Sequence, residues 1–292
     1  MALKIKSAVL TVAAIALLAA CGGGGGPTVL GPGRVATPEP GTLQSLNADS
    51  GGDSTIAGTS LQTQPGTSIT LLSAQLSAQT GNLTAFSNGA TQVGDLDDSN
   101  GGWRDDNGNL LLVSDALERD GGFTYSRAFN FIAANGPSGP VILGVVTPGS
   151  SIPNTGSLSF SGQAFINGGI DGADNSIGTR GTAIVDANFS GSQNVTVTIS
   201  GFDDPVPFDS ITLDNFNIAN GGNTFDEGTV TLFDADNNEI TGMLLGTVAG
   251  NDAAGHFFGI DAVAEDSQPD EVGGMFFAEG TNGEIYGGFL AD

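Results

Sequence analysis

His256 is the only histidine in the 292-residue chain, and it stands directly before Phe257 and Phe258. A single imidazole on an apolar wall has the makings of an axial haem ligand. The plainer reading is a strand histidine near a barrel rim, and the sequence favours it. One histidine and no free thiol rule out a conventional zinc site, which needs several nitrogen or sulfur ligands. Two acidic stretches place oxygen ligands at alternating positions, as calcium loops do: "DADNNE" (234–239) and "DLDDSNGGWRDDNGN" (95–109). In the first, Glu239 occupies the place of the obligatory Gly and Leu245 that of the bidentate Glu, so a hairpin turn is expected. The second is the better calcium candidate, although turn chemistry accounts for it equally well.

Catalysis finds no purchase in these residues. The chain has no Gly-x-Ser-x-Gly elbow, no phosphate-binding loop and no second base to partner His256. Paired carboxylates are frequent only because carboxylates are frequent. One Trp and two Tyr give little surface for stacking sugars, as a glycosidase cleft requires. The chain is therefore expected to be no enzyme and to hold no cofactor or metal.

The only cysteine, Cys21, has a different chemistry. Lys4 and Lys6 precede a small-sided apolar run, "AVLTVAAIALLAA" (8–20), too short for a membrane span. It ends in Leu18-Ala19-Ala20-Cys21, which resembles a bacterial lipobox whose thiol takes a diacylglycerol. Residues 1–20 are read as a lipoprotein signal peptide and Cys21 as the lipid attachment site, making the membrane a partner through the anchor. Gly22 follows, without the Asp that retains lipoproteins at the inner membrane, so the outer membrane is the expected address.

Beyond Lys6 the chain has five Arg and no Lys against thirty-two acidic residues, a charge near −27. Such a surface repels nucleic acid and anionic headgroups and keeps the protein soluble. Without a disulfide, folding rests on core burial and strand pairing.

Residues 21–60, rich in Gly, Pro, Ser and Thr, read as a flexible tether. Residues 61–155 read as a small, mostly β, handle-like subdomain. In it "GGFTYSRAFNFIAA" sets aromatics at period two, and "GPVILGVVTPG" suits a buried strand. From residue 156 to 292 the alternation becomes regular, as in "GSLSFSGQAFI", "GTAIVDANF" and "NVTVTIS". "EITGMLLGTVA" is read as another strand. In "FDSITLDNFNIA", Ile211 and Leu213 fall out of phase with Phe216 and Ile218, which predicts a bulge. An all-β fold follows, with an eight- or nine-stranded antiparallel up-and-down barrel at the C-terminus. Glycines inside its strands suit tight, coiled walls. A fragment from about Gly156 onward is expected to close on itself and fold alone.

The passage "HFFGIDAVAEDSQPDEVGGMFFAE", followed by "GEIYGGFLA", resembles the closing strands of the transferrin-binding protein B barrel family, to which factor H binding protein is related. The residues that carry the resemblance are Phe257, Phe258, Gly259, Ala264, Glu265, Gly273, Gly274, Phe276, Gly288 and Phe289. "GTAIVDANFSGSQNVTVTIS" resembles the family's early barrel hairpin. Ile260 stands where the family has Pro, and "DSQPDE" lengthens the spacing before Gly273. The motif marks a fold and no binding residue, so the ligand-binding residues stay unknown. The resemblance implies one handle-plus-barrel lobe of a surface lipoprotein. Such a protein would capture an iron carrier, haem, another scarce nutrient or a host protein, working with a TonB-dependent receptor or a lipoprotein-surface translocator. The alternative is a structural or adhesive spacer, favoured by the scarcity of the Tyr, Trp and Arg that anchor tight interfaces.

Overall fold

The computed structural model describes residues 54–292 apart from 63–66, 78–81, 89–90, 100–101, 115–116, 118–122, 124, 137, 171–175, 219–221 and 260–267. Cys21, Ala264 and Glu265 lie outside the described residues. Two antiparallel barrels follow each other along the chain.

The first is built from β1 (Ser54–Gln62), β2 (Ser68–Leu76), β3 (Leu83–Asn88), β4 (Thr91–Ser99), β5 (Gly102–Arg104), β6 (Leu110–Val113), β7 (Ser126–Ile132) and β8 (Gly139–Val145). Each strand pairs with the next, and β1 pairs with β8 from Ile56↔Val145 to Ser60↔Val141, which closes the ring. The handle-like subdomain is thus itself a closed barrel. Its first strand includes residues 54–60, expected in the tether. They are small and polar enough to read as linker, yet they pair on both sides, and Ile56 is fully buried inside. Leu72, Leu76, Phe86, Trp103 and Phe129 fill the interior with Ile56. Trp103 meets Phe129 edge-on at 5.9 Å, the geometry aromatic quadrupoles prefer.

The second barrel comprises β9 (Ser157–Ile170), β10 (Ser176–Asn188), β11 (Asn194–Ser200), β12 (Ser210–Asp214), β13 (Asn217–Ile218), β14 (Thr224–Phe233), β15 (Val248–Phe258), β16 (Glu271–Gly280) and β17 (Gly283–Ala291). β17 returns to β9, and β12 pairs with β14, so eight strands run round a ring with β13 as a short side strand on β14. Period-two patterning explains why. Along β10 every second residue is buried without exception, and Ala183, Val185 and Ala187 point inward. β11 turns Val195, Val197 and Ile199 the same way. The phase slip expected near residue 215 falls on Asn215, whose positive φ of 60° separates β12 from β13.

One expected strand is a helix. Thr241–Leu245 forms α1 because the chain turns across the end of the barrel there, burying Ile240 and Leu245 rather than alternating. The Thr241 hydroxyl accepts the Leu232 N–H at 2.8 Å. Gly246 ends the turn at φ 74°, a conformation that favours glycine.

Glycine has a specific use at Gly274, whose absent Cβ would lie 2.4 Å from the Ala254 carbonyl oxygen and 3.0 Å from the Phe289 ring. Gly274→Val is expected to destabilise the protein by about 1–3 kcal/mol or more, because backbone on the neighbouring strand cannot move aside. A thermal melt of the variant against wild type reads this directly.

Candidate functional site

Residues 253–258 of β15, 271–278 of β16 and 287–291 of β17 are buried on both faces, and that double burial accounts for the aromatic pairs of the sequence. Phe257, Phe276 and Phe289 point into the second barrel. Phe258, Met275, Phe277 and Leu290 point out of it, and with Phe165 they pack on Leu61, Leu117, Phe123, Ala128 and Ile142 of the first barrel. Adjacent phenylalanines therefore serve two cores, one on each face of a strand. Gly273, whose absent Cβ would meet Leu290 and then Ile142, lets the two walls approach. Gly288 makes room for Met275 and Phe165 in the same way, and Gly259, at φ 116°, turns the chain against Asp270.

Two ionisable side chains are sealed into this seam. His256 is almost fully buried, and its Nε2 lies 3.1 Å from the Gly58 carbonyl oxygen of β1. A carbonyl only accepts, so Nε2 carries the proton. Nδ1 faces the Thr224 hydroxyl at 3.4 Å. Burial pulls the His256 pKa down to about 4, against a smaller upward influence from the bond to Gly58. The rim position expected from sequence is therefore corrected: strand β15 carries this face against the first barrel. His256 is thus a buried strand residue whose Nε2 is engaged by the Gly58 carbonyl.

Glu271, at the start of β16, is the second. Its carboxylate accepts the Tyr125 N–H at 3.1 and 3.2 Å and the Ser126 hydroxyl at 2.7 Å, tying β16 to the chain that enters β7. Sequence reasoning passed over Glu271. The available signal was a lone acid opening the otherwise apolar run "VGGMFFA". Asn223 adds a third cross-link, its Nδ2 donating to the Thr147 carbonyl at 2.9 Å.

The acidic stretch 234–239 is a turn, whereas in 95–109 residues 95–99 belong to β4 and 102–104 to β5, and only 105–109 turns. Asp234 accepts the Asp236 and Asn238 N–H groups at 3.0 and 2.8 Å, together with the Asn238 side chain. The bonds from Asn238 hold the Asp234 carboxyl below its usual range. Asp105 likewise takes the Asn109 N–H at 2.8 Å and the Asn109 amide at 2.6 Å. Burial, the largest single influence, works to raise the Asp105 pKa, yet the bonds from Asn109 and Asn107 together outweigh it and lower it. Half-buried Asp252 moves up instead, through burial first and then the nearby Asp226 and Glu227 charges.

Among the described residues, apolar side chains pack the interiors of both barrels. Two open hollows mark the second barrel. One, of about 520 Å³, is lined by Phe165, Asn167, Thr179, Arg180, Asp203 and Asp204. The other, of about 430 Å³, lies by Asn154, Phe189, Gln193 and Asn217. Both suit polar contact and neither encloses a solute.

No protein-family model matches the chain, and neither does any curated protein. Solved structures do. A point variant of transferrin-binding protein B from Haemophilus parasuis superposes with a TM-score of 0.50 at 15% identity, over 81% of this chain and 44% of that one. The chain has a transferrin-binding protein B-like fold. It spans less than half the length of that protein, and at such identity the likeness is one of fold. The transferrin-binding protein B of Neisseria meningitidis matches at 16% identity and TM-score 0.44, over 81% of this chain and 43% of that one. HpuA from Kingella denitrificans, solved with human haemoglobin, matches at 14% and 0.39, over 82% and 87%. The transferrin-binding protein B-like fold thus rests on architecture: two closed barrels in series, joined along one wall.

Proposed function

We propose that the protein is a non-enzymatic lipoprotein of the bacterial outer membrane. In this reading Cys21 carries the acyl anchor, the residues after it form the tether, and the double barrel is held out at the cell surface. There it binds a protein that carries iron or haem, or another host protein. The observation that carries this reading is the filling of both barrels: Phe86, Trp103 and Phe129 occupy one interior, and Phe225, Phe257 and Phe276 the other. Aromatic rings packed inside a barrel leave little space there for a small solute, and recognition is accordingly assigned to the outer surface and its loops. A charge near −27 steers an approaching basic partner and speeds its encounter. The shared fold with a protein named for binding transferrin supports the same reading.

The anchor has its own test. Cys21→Ser is expected to abolish labelling by palmitate and to release the protein into the soluble fraction. A labelled variant would remove Cys21 from its role. For binding, the full chain is immobilised and exposed to iron-loaded transferrin and to haemoglobin. Capture of either supports the proposal, whereas binding of neither returns the spacer reading.

A further inference from the structure

We propose that the seam between the two barrels is an acid-responsive joint: protonation of His256 loosens the closed arrangement while both barrels stay folded. The geometry of the joint carries this. Each barrel closes its own hydrogen-bond ring and fills its own interior, so neither ring depends on the other. Among the described residues, what joins them is one apolar cluster, a few backbone bonds, the bond from Asn223 to the Thr147 carbonyl and two buried ionisable groups. The backbone bonds run from Thr147 N–H to the Phe257 carbonyl at 3.1 Å and from Gly259 N–H to the Val145 carbonyl at 3.0 Å.

The closed seam favours neutral imidazole, because burial withholds from a charged ring the water that would solvate it. Nε2–H is spent on the Gly58 carbonyl, and Phe258 lies beside the ring at 6.1 Å. The Thr224 hydroxyl facing Nδ1 also lies 3.2 Å from the Asn223 side-chain oxygen. Strands β1 and β2, which pack against β15 from the first barrel, carry no ionisable side chain. The remaining titratable groups on the packed strands are carboxyls: Asp226 and Glu227 on β14, Glu271 and Glu279 on β16, and Asp252 on β15 itself. Glu271 bonds across the seam to Tyr125 and Ser126, away from the imidazole. Among the described residues a buried imidazolium therefore has no anion placed to receive it, whereas in the parted form water solvates it.

The direction follows from where the proton binds. Below pH 6.5 the parted form takes up a proton on His256, and the closed form does not until pH falls to about 4. Closure is favoured at neutral pH and weakens as pH falls through that window. The parted-to-closed ratio rises about tenfold per pH unit, or about 300-fold in all, between the ordinary histidine value and about 4.

Hydrogen exchange on the full chain, corrected for the intrinsic pH dependence, reads the opening even when it is rare. The Thr147 and Gly259 amides report the seam, and ladder amides such as Ile199 and Leu143 report the barrels. Seam protection is expected to fall about tenfold per pH unit from 6.5 towards 4 while ladder protection holds. His256→Gln keeps an N–H for Gly58 and gains no proton, so its seam protection should be flat over the same range. Glu271→Gln should lower seam protection at every pH and leave the slope unchanged. Flat seam protection in wild type overturns the proposal, as does a slope that survives His256→Gln. Ladder amides that lose protection in step with the seam overturn it too, since the event is then unfolding and not parting.

Discussion

Phe257→Ala is expected to lower the unfolding free energy by about 3–5 kcal/mol, measured by urea denaturation. Phe257 is fully buried, at the meeting point of three rings: Phe225 at 5.4 Å, Phe189 at 5.7 Å and Phe160 at 6.4 Å. Those rings come from β14, the turn after β10, and β9, so the side chain braces strands on several sides of the barrel. Truncation loses the transfer energy of the ring and leaves a cavity that rigid walls cannot collapse to fill. The loss is a large share of the 5–15 kcal/mol or so that holds a typical domain folded. A change below about 1 kcal/mol would mean that the barrel interior is not packed around this ring.

A fragment covering residues 156–292 is expected to melt cooperatively yet to self-associate, which light scattering on a sizing column detects. Cooperative melting follows because the second barrel closes its ring and fills its interior from its own strands. Self-association follows because Phe165, Phe258, Met275, Phe277 and Leu290 lose their cover when the first barrel is removed. An exposed apolar wall of that kind is an association surface. Sequence alone leads to a barrel that closes on itself and folds alone, and the seam is what it leaves out. A monodisperse monomeric fragment would show that this wall does not need the first barrel.

The barrel of residues 157–291 was legible because its strands alternate. "NVTVTIS" and "GTAIVDANF" announce one buried face each, and one buried face is what they have. The C-terminal strands were legible as strands but not as a seam. A run such as "VGGMFFA" is apolar at every position, and continuous apolarity says that both faces are covered without saying by what. For the same reason the pairing of Phe257 with Phe258 gives no sign of the partner barrel behind the wall. β1 escaped notice because Gly58, Thr59 and Ser60 are small and polar. Their burial comes from neighbours more than eighty residues away, such as Ile142 and Leu143. α1 escaped because a five-residue turn is too short to show a helical period. The environment of His256 depends on a carbonyl 198 positions earlier in the chain, and no local pattern encodes that.

Protease treatment of intact cells tests the functional account most directly. Because the proposed binding surface is the outside of a double barrel held on a tether from Cys21, the account predicts that added protease removes the body from intact cells. A periplasmic control protein should survive the same treatment. A body that stays fully protected until the outer membrane is opened would contradict display at the surface, and with it the capture of an external protein.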